Sequence, residues 1–274
     1  ILLASHLVPV YGVKKGIAYS LFHAVSAFCN AGFDLFGTSL VSFQGDFLVT
    51  LTIAALIILG GLGFVVYADL WRFRRQKRLS PHTKLVFVTT VALLISGTIM
   101  FYVFEFNNAL TLKPLPMSEK ILASFFQSTT LRTAGFNSLN MGDITDPTAF
   151  GSLLYMFIGG SPGSTAGGLK TTTFAIVLAS TWASLRGSDD TDLFHRRVSK
   201  DTVRKAYSLF VIGVSLVFTV SAVVVMFEGG RLKFLDVLYE TFSAFGTVGV
   251  TRGITEMLTS PSKLILSFTM YLGR

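Results

Sequence analysis

The sequence predicts an all-α polytopic membrane protein built from repeated units of helix, short re-entrant helix, turn and helix. Three observations carry this. The chain is apolar, with 51% hydrophobic residues and a mean hydropathy of +0.62. Only 14% of its residues are charged, against about 25% in soluble domains. And a short helix, a glycine turn and an apolar span follow one another three times in the same order, which marks architecture rather than accident.

Composition also excludes several function classes. A single cysteine, Cys29, allows no intrachain disulfide, and no Cys/His cluster has metal-ligand spacing. His6, His23, His82 and His195 are scattered, and none reads as a metal ligand. No Ser-His-Asp order and no paired carboxylates emerge, so no enzyme is expected. The net charge of +8 raises the question of nucleic acid, but the cations sit in short loops between apolar spans. There they set membrane orientation, and no nucleic-acid partner is expected. The chain opens on Ile1 and stops at Arg274 inside an apolar run, so it reads as a piece of a longer protein.

Taken in order, residues 1–13 look like the outer end of a span. Gly16 to Phe28 is apolar but covers only about 20 Å, too short for a hydrocarbon core of about 30 Å. It ends in Cys29-Asn30-Ala31-Gly32-Phe33. A polar break, Asp34 to Asp46, precedes a first full span near Phe47–Trp71. The next loop holds six basic residues (Arg72, Arg74, Arg75, Lys77, Arg78 and Lys84) and no acidic one, which places it in the cytoplasm. A second span, near Leu85–Phe106, returns outward. A short helix, Ser118 to Thr130, then leads into Arg132-Thr133-Ala134-Gly135-Phe136.

The apolar region from Pro147 to about Leu185 is too long for one straight crossing. It is interrupted by Gly159-Gly160-Ser161-Pro162-Gly163-Ser164-Thr165-Ala166-Gly167-Gly168, whose five glycines and one proline cannot sustain a helix. The expected form is half-helix, intramembrane loop, half-helix. A second polar loop, Arg186 to Lys205, has six basic and four acidic residues and is again cytoplasmic. A span near Val203–Phe227 follows, then the amphipathic run Phe234–Phe245 and Gly246-Thr247-Val248-Gly249-Val250. Pro261 opens a last span.

Gly32, Gly135 and Gly249 set the repeat register, 103 and 114 residues apart. Ten positions earlier stand Phe22, Phe125 and Tyr239; six earlier, Ser26, Thr129 and Ser243; two earlier, Asn30, Thr133 and Thr247. Backbone outside helix at membrane depth is tolerated only where it lines a cavity or is buried in protein. Turns of this kind aim carbonyl oxygens into a pore, where they replace the hydration shell of a cation. The short helices direct their partly negative C-termini at the same point. The opposing reading makes each glycine an ordinary packing residue. Such units close most naturally around an axis as four copies, a pseudo-fourfold arrangement of which three are visible.

The runs Ala27-Phe28-Cys29-Asn30-Ala31-Gly32-Phe33-Asp34, Leu131-Arg132-Thr133-Ala134-Gly135-Phe136-Asn137 and Phe245-Gly246-Thr247-Val248-Gly249-Val250 closely resemble the filter signatures of the Trk/Ktr/HKT potassium transporters. The glycine-rich run 159–168 resembles that family's intramembrane loop, and Arg274 matches the arginine of its last helix. The resemblance implies helix–pore helix–filter–helix units. Residues 1–72 are the second pore repeat, incomplete at its start. Residues 73–190 are the third, with the loop, and residues 191–274 the fourth, truncated. It implies filter residues Asn30, Ala31, Gly32, Thr133, Ala134, Gly135, Thr247, Val248 and Gly249. It further implies K+ as the permeating ion, stimulation by or coupling to Na+, no cofactor in this chain, a homodimer in the lipid of a bacterial cell membrane, and a cytosolic nucleotide-binding regulatory ring.

The loop 159–168 is expected to act as a movable gate, with a static break that shapes the cavity as the alternative. Its Gly163-x4-Gly168-Leu169-Lys170-Thr171 segment is one residue off a phosphate-binding pattern, but no strand precedes it, and it is not read as a nucleotide site. Lys170 and Arg274 are cations near membrane depth, functional candidates by default. Lys170 either meters conduction or snorkels to the interface. Asp34 either attracts cations at the mouth or is a solvated loop residue. Arg132 is expected to turn from the ion path toward an acidic partner. Two other function classes stay open: a secondary transporter with broken helices, and a membrane-embedded enzyme, for which no intramembrane nucleophile or acid–base set is found.

Overall fold

The structure is a computed structural model and describes residues 1–188, 190–194 and 196–274. His195, read above as no metal ligand, and Asp189, an acid of the second polar loop, lie outside the described residues.

Eleven helices are described: α1 Leu2–Tyr11, α2 Val13–Phe28, α3 Phe47–Leu62, α4 Phe64–Gln76, α5 Pro81–Glu105, α6 Met117–Thr130, α7 Asp146–Phe157, α8 Thr171–Leu185, α9 Lys200–Glu228, α10 Phe234–Gly246 and α11 Ser260–Gly273. Among the described residues, α5 and α9 are each long and apolar enough to cross a membrane. Local chemistry sets their starts. Ser80 caps α5 by accepting from the Thr83 amide at 3.3 Å, with Pro81 at the first position. Ser199 caps α9 in the same way through Thr202. Gly229, in the left-handed region at φ 58°, ends α9.

The first full span expected over Phe47–Trp71 is instead two helices, α3 and α4, bent by 90°. Gly63 sits at the break with φ 91°, where a side chain would collide with the Pro162 carbonyl. The first amide of α4, Phe64 N–H, donates not to its own helix but to Gly163 O at 3.1 Å. The glycine-rich loop thus occupies the break. The second polar loop also holds more structure than its composition suggested. A short antiparallel hairpin, β1 Asp192–Leu193 and β2 Arg196–Arg197, precedes α9, which starts at Lys200.

The short helices α2, α6 and α10 each lie between a preceding helix and a following one, and each pair closes through a polar contact at the end away from the basic loops. Glu105, at the end of α5, accepts from the Thr145 amide and hydroxyl, both at 2.8 Å, and from the Thr148 hydroxyl at the start of α7. Glu228, at the end of α9, accepts from the Thr259 amide at 2.9 Å, the Thr259 hydroxyl at 2.8 Å and the Ser262 hydroxyl at 2.6 Å at the start of α11. Between α1 and α3 the roles are reversed: Asp46 caps α3 and pairs with His6. In each case a side chain of the first helix satisfies or pairs with the N-terminus of the second. Apolar packing fills the space between units, in one cluster around Phe101, Met156, Phe157, Tyr239 and Phe245 and another around Leu7, Ile53, Ile57, Phe126 and Phe136.

Candidate functional site

The three glycine turns share one backbone conformation. Asn30 (φ 51°), Thr133 (φ 66°) and Thr247 (φ 51°) are left-handed, and two residues on so are Gly32 (72°), Gly135 (83°) and Gly249 (85°). For β-branched threonine this region is a genuine outlier, and such strain, of order 1–3 kcal/mol per residue, persists only where the surroundings impose it. The imposing contacts are visible. The amide of each central residue donates back into its short helix: Ala31 to Ser26 O at 2.9 Å, Ala134 to Thr130 O at 3.0 Å, Val248 to Ser243 O at 2.8 Å. In two turns a hydroxyl then holds the residue after the glycine, Ser26 to Phe33 O at 2.8 Å and Thr130 to Phe136 O.

The turns converge. A methyl group placed on Gly32 would lie 2.6 Å from Ala134 O, and one on Gly135 would lie 2.7 Å from Val248 O. Gly32, Gly135 and Gly249 all line one open cavity of about 560 Å³, together with Asp34, Asn137 and Thr251. Of the buried side-chain polar atoms without partners, three fall at one register position of the turns: Asn30 Nδ2, Thr133 Oγ1 and Thr247 Oγ1. An unsatisfied buried polar atom costs about 1–3 kcal/mol, so three at equivalent places ask for a common reason.

The glycine-rich run lies against the opposite side of these turns. Gly159 N–H donates to Leu169 O at 2.9 Å, Leu169 N–H to Phe157 O at 3.0 Å, and Thr171 N–H to Gly160 O at 3.0 Å, closing the run into a loop whose two ends pair in parallel. Its tip reaches α3: Ser161 N–H donates to Gly61 O at 3.0 Å and Thr165 N–H to Gly60 O at 3.3 Å. The Thr165 hydroxyl lies 3.0 Å from Asn30 Oδ1 and 3.1 Å from Phe28 O. Ser164, Ala166 and Gly167 continue toward the third turn, where a side chain on Gly167 would collide with Thr247 Oγ1. Gly168 N–H donates to Gly273 O at 3.0 Å. Pro162 and Gly163 fill the Gly63 break. Lys170 folds back onto the loop, its Nζ donating to Ala166 O at 2.7 Å, and Arg274 Nη1 donates to Thr165 O. The loop, Lys170 and Arg274 therefore form one connected patch that touches the first turn at Asn30 and the third at Thr247.

One expectation needs revision and another gains detail. Arg132 is buried but meets no carboxylate among the described residues; its Nη2 is 3.4 Å from Thr90 Oγ1, in the space between α5 and the second turn. Asp34 lines the cavity beside the three glycines, half-buried, and also has a local structural role. Its Oδ1 accepts from Phe36 N–H at 2.9 Å and Gly37 N–H at 2.7 Å, bracing the loop after the first turn.

Other contributors were missed. His23 Nδ1 lies 2.7 Å from Tyr19 O, while Nε2 accepts from Leu35 N–H at 3.2 Å, and the ring stacks on Phe36 at 4.1 Å. A donor on one nitrogen and an acceptor on the other define a neutral imidazole that holds the exit of the first turn. Arg252, three residues past Gly249, bridges Asp236 at 2.7 Å and Asp146 at 3.1 Å, tying the third turn to α7. No local motif announces these pairs. The Gly60-Gly61-Leu62-Gly63 cluster was a usable signal, because three glycines inside an apolar run mark a break or a close approach.

A family model described as TrkH, cation transport protein, matches residues 4–274. The chain belongs to the TrkH family of cation transport proteins. It is similar to Ktr system potassium uptake protein B of Bacillus subtilis (strain 168), 43% identical over all of this chain and 61% of the relative. It is similar to the protein of the same description from Vibrio alginolyticus, 40% identical over all of this chain and 60% of the relative. It also resembles potassium/sodium uptake protein NtpJ of Enterococcus hirae, 40% identical over 97% of this chain and 59% of the relative. The chain thus spans about three fifths of the length of these curated relatives. Its fold matches the crystal structure of the potassium transporter TrkH from Vibrio parahaemolyticus with a TM-score of 0.74, at 14% identity, over 99% of this chain and 66% of that one. The family is one of membrane transport proteins rather than enzymes, and the all-α membrane fold read from the sequence is the fold observed.

Proposed function

We propose that this chain forms three of the walls of a potassium pathway, in which the carbonyls of Asn30–Gly32, Thr133–Gly135 and Thr247–Gly249 replace water around a permeating K+. The carrying observation is the repeated left-handed pair in each turn, with an unpartnered polar atom at Asn30, Thr133 and Thr247 and all three glycines on one cavity. A dehydrated cation needs several neutral oxygens at similar distance. Backbone that alternates in hand directs successive carbonyls to one side, and the strain it stores is reasonable where a ligand uses it. The residues of each turn differ, so the coordination is asymmetric and sodium is discriminated less sharply than by four identical turns.

The run Gly159–Gly168 is the gate in this reading, held shut by Arg274, Lys170 and the contacts of Thr165. Residues 1–72, 73–190 and 191–274 are three consecutive pore repeats. The relatives carry the names of potassium and potassium/sodium uptake proteins and of a multi-component system. These names support K+ as the ion, a role for Na+ and a system with further subunits; a homodimer and a cytosolic nucleotide-binding ring are the partners this reading proposes. A secondary transporter with broken helices draws on the 90° break at Gly63, but repeats in one order favour a pore around an axis over two inverted halves.

The test is potassium uptake by the full-length protein, with its cytosolic partner, in cells lacking other potassium uptake, comparing wild type with Gly249→Ser. Uptake or K/Na preference falls while the protein level holds. If both stay at wild-type values, Gly249 is a packing residue and the pore reading fails.

A further inference from the structure

We propose that the cavity between α4, the start of α5 and the β1–β2 hairpin binds the phosphate of an anionic phospholipid of the cytoplasmic leaflet. The cavity has a volume of about 770 Å³ and is lined by Arg72, Lys77, Arg78, Lys84 and Arg196, with Asp69 the one acid among them. The cations come from three separate segments brought together by the fold. Arg72 lies on α4. Lys77, in the left-handed region at φ 48°, ends that helix and turns the chain so that Arg78 follows it around the rim. Lys84 is in the first turn of α5, and Arg196 comes from the hairpin across more than a hundred residues.

Five cations face a single lining acid, so the cavity keeps a net positive charge. That acid, Asp69, accepts from Ser80 N–H at 2.8 Å and offsets part of the charge of Arg72. None of the five cations has an ion pair among the described residues, whereas the neighbouring Arg197 is paired with Asp190. Guanidinium and ammonium groups converging from several sides are the donor set that phosphate oxygens require.

The choice of lipid over a soluble phosphate rests on where the cavity lies. The chain turns by 90° at Gly63, so α4 runs across the direction of α3, and with α3 crossing the bilayer it would lie along the membrane plane. Its exposed side carries Phe64 (74% exposed) and Trp71 (77% exposed), seven residues apart and so on one face. Aromatic side chains beside cations are the signature of a helix seated at the headgroup level. Phe73 and Phe194 line the cavity itself beside the cations, offering an apolar wall to the glycerol and upper acyl chain. Lys84 stands at the cytoplasmic end of the span α5, at headgroup height.

The experiment is native mass spectrometry of the full-length protein in detergent, titrated with dioleoyl phosphatidylglycerol or dioleoyl phosphatidylcholine. It compares wild type, Lys77→Gln/Arg78→Gln/Arg196→Gln, the single variant Arg196→Gln on the exposed hairpin, and Lys14→Gln/Lys15→Gln as a control elsewhere. Each cation near an anionic lipid surface contributes about a fivefold gain, so the triple variant should bind phosphatidylglycerol roughly 100-fold more weakly and the single variant about fivefold. Phosphatidylcholine retention and the Lys14/Lys15 control should match wild type. Equal phosphatidylglycerol retention by wild type and Arg196→Gln, or by wild type and the triple variant, would overturn the site. Displacement of the lipid by millimolar inorganic pyrophosphate, with pyrophosphate retained in its place, would overturn the lipid assignment in favour of a soluble phosphate ligand.

Discussion

The hydroxyl of Thr165, at the tip of the glycine-rich loop, lies 3.0 Å from Oδ1 of Asn30 in the first turn, across 135 residues of chain. The same hydroxyl is 3.0 Å from Gly60 O and 3.1 Å from Phe28 O. One residue therefore joins the loop to a turn, to the end of its short helix and to the span that follows. Replacing it with valine keeps the volume and removes the donor. With a net hydrogen bond worth about 0.5–1.5 kcal/mol, Thr165→Val should favour the displaced loop by roughly 2–10-fold. Rubidium efflux from proteoliposomes should rise accordingly; an unchanged efflux would mean that the loop does not limit conduction.

Arg274 donates to the carbonyl of that same residue. Arg274→Gln should also raise the flux. Because both side chains hold one point of the loop, the double variant Thr165→Val/Arg274→Gln should show less than the product of the two single effects. Fully multiplicative effects in the efflux assay would place the two residues in independent roles.

Gly63 is where the loop enters the break between α3 and α4. Alanine there meets both a positive φ of 91° and the Pro162 carbonyl. Gly63→Ala should push the loop from its seat and cost about 1–3 kcal/mol of stability. Lower thermal stability in detergent together with faster rubidium efflux is the expected pair of results; loss of stability without any change in efflux would separate the break from the gate.

Glu105 and Glu228 join the ends of α5 and α9 to the starts of α7 and α11. Glu105 also accepts from Asn108 at 2.7 Å and Thr111 at 2.6 Å, so its carboxylate is saturated with donors. An amide can accept at one atom only, which leaves donors of Glu105→Gln unmatched. The expected loss is roughly 3 kcal/mol, seen as a melting temperature several degrees lower. Glu228 takes its threonine and serine donors at one oxygen but pairs its other with Arg231 at 3.1 Å, and Glu228→Gln should likewise lower the melting temperature by several degrees.

The sequence made the repeat legible because glycine turns after short apolar helices leave a regular trace. Gly32, Gly135 and Gly249 carried the register, and the run 159–168 carried the loop. The break at Gly63 was less visible, since Phe47–Trp71 reads as one mostly apolar run with Asp69 as its sole charge, and hydropathy does not register a bend. What stayed hidden were contacts between distant segments. Thr165 was legible as a polar residue in a loop, but nothing local tells that its hydroxyl meets Asn30. Arg132 was expected to find a carboxylate on grounds of charge, yet the fold brings Thr90 to it instead. His23 read as one scattered histidine, and its bracing role follows only from the fold that stacks it on Phe36.

The most direct measurement is anomalous diffraction from crystals of the full-length protein grown with rubidium in place of potassium. An anomalous peak is expected on the axis between the turns, within ligand distance of carbonyls from Asn30–Gly32, Thr133–Gly135 and Thr247–Gly249. Ordered rubidium elsewhere along the protein, with none between Gly32, Gly135 and Gly249, would contradict it.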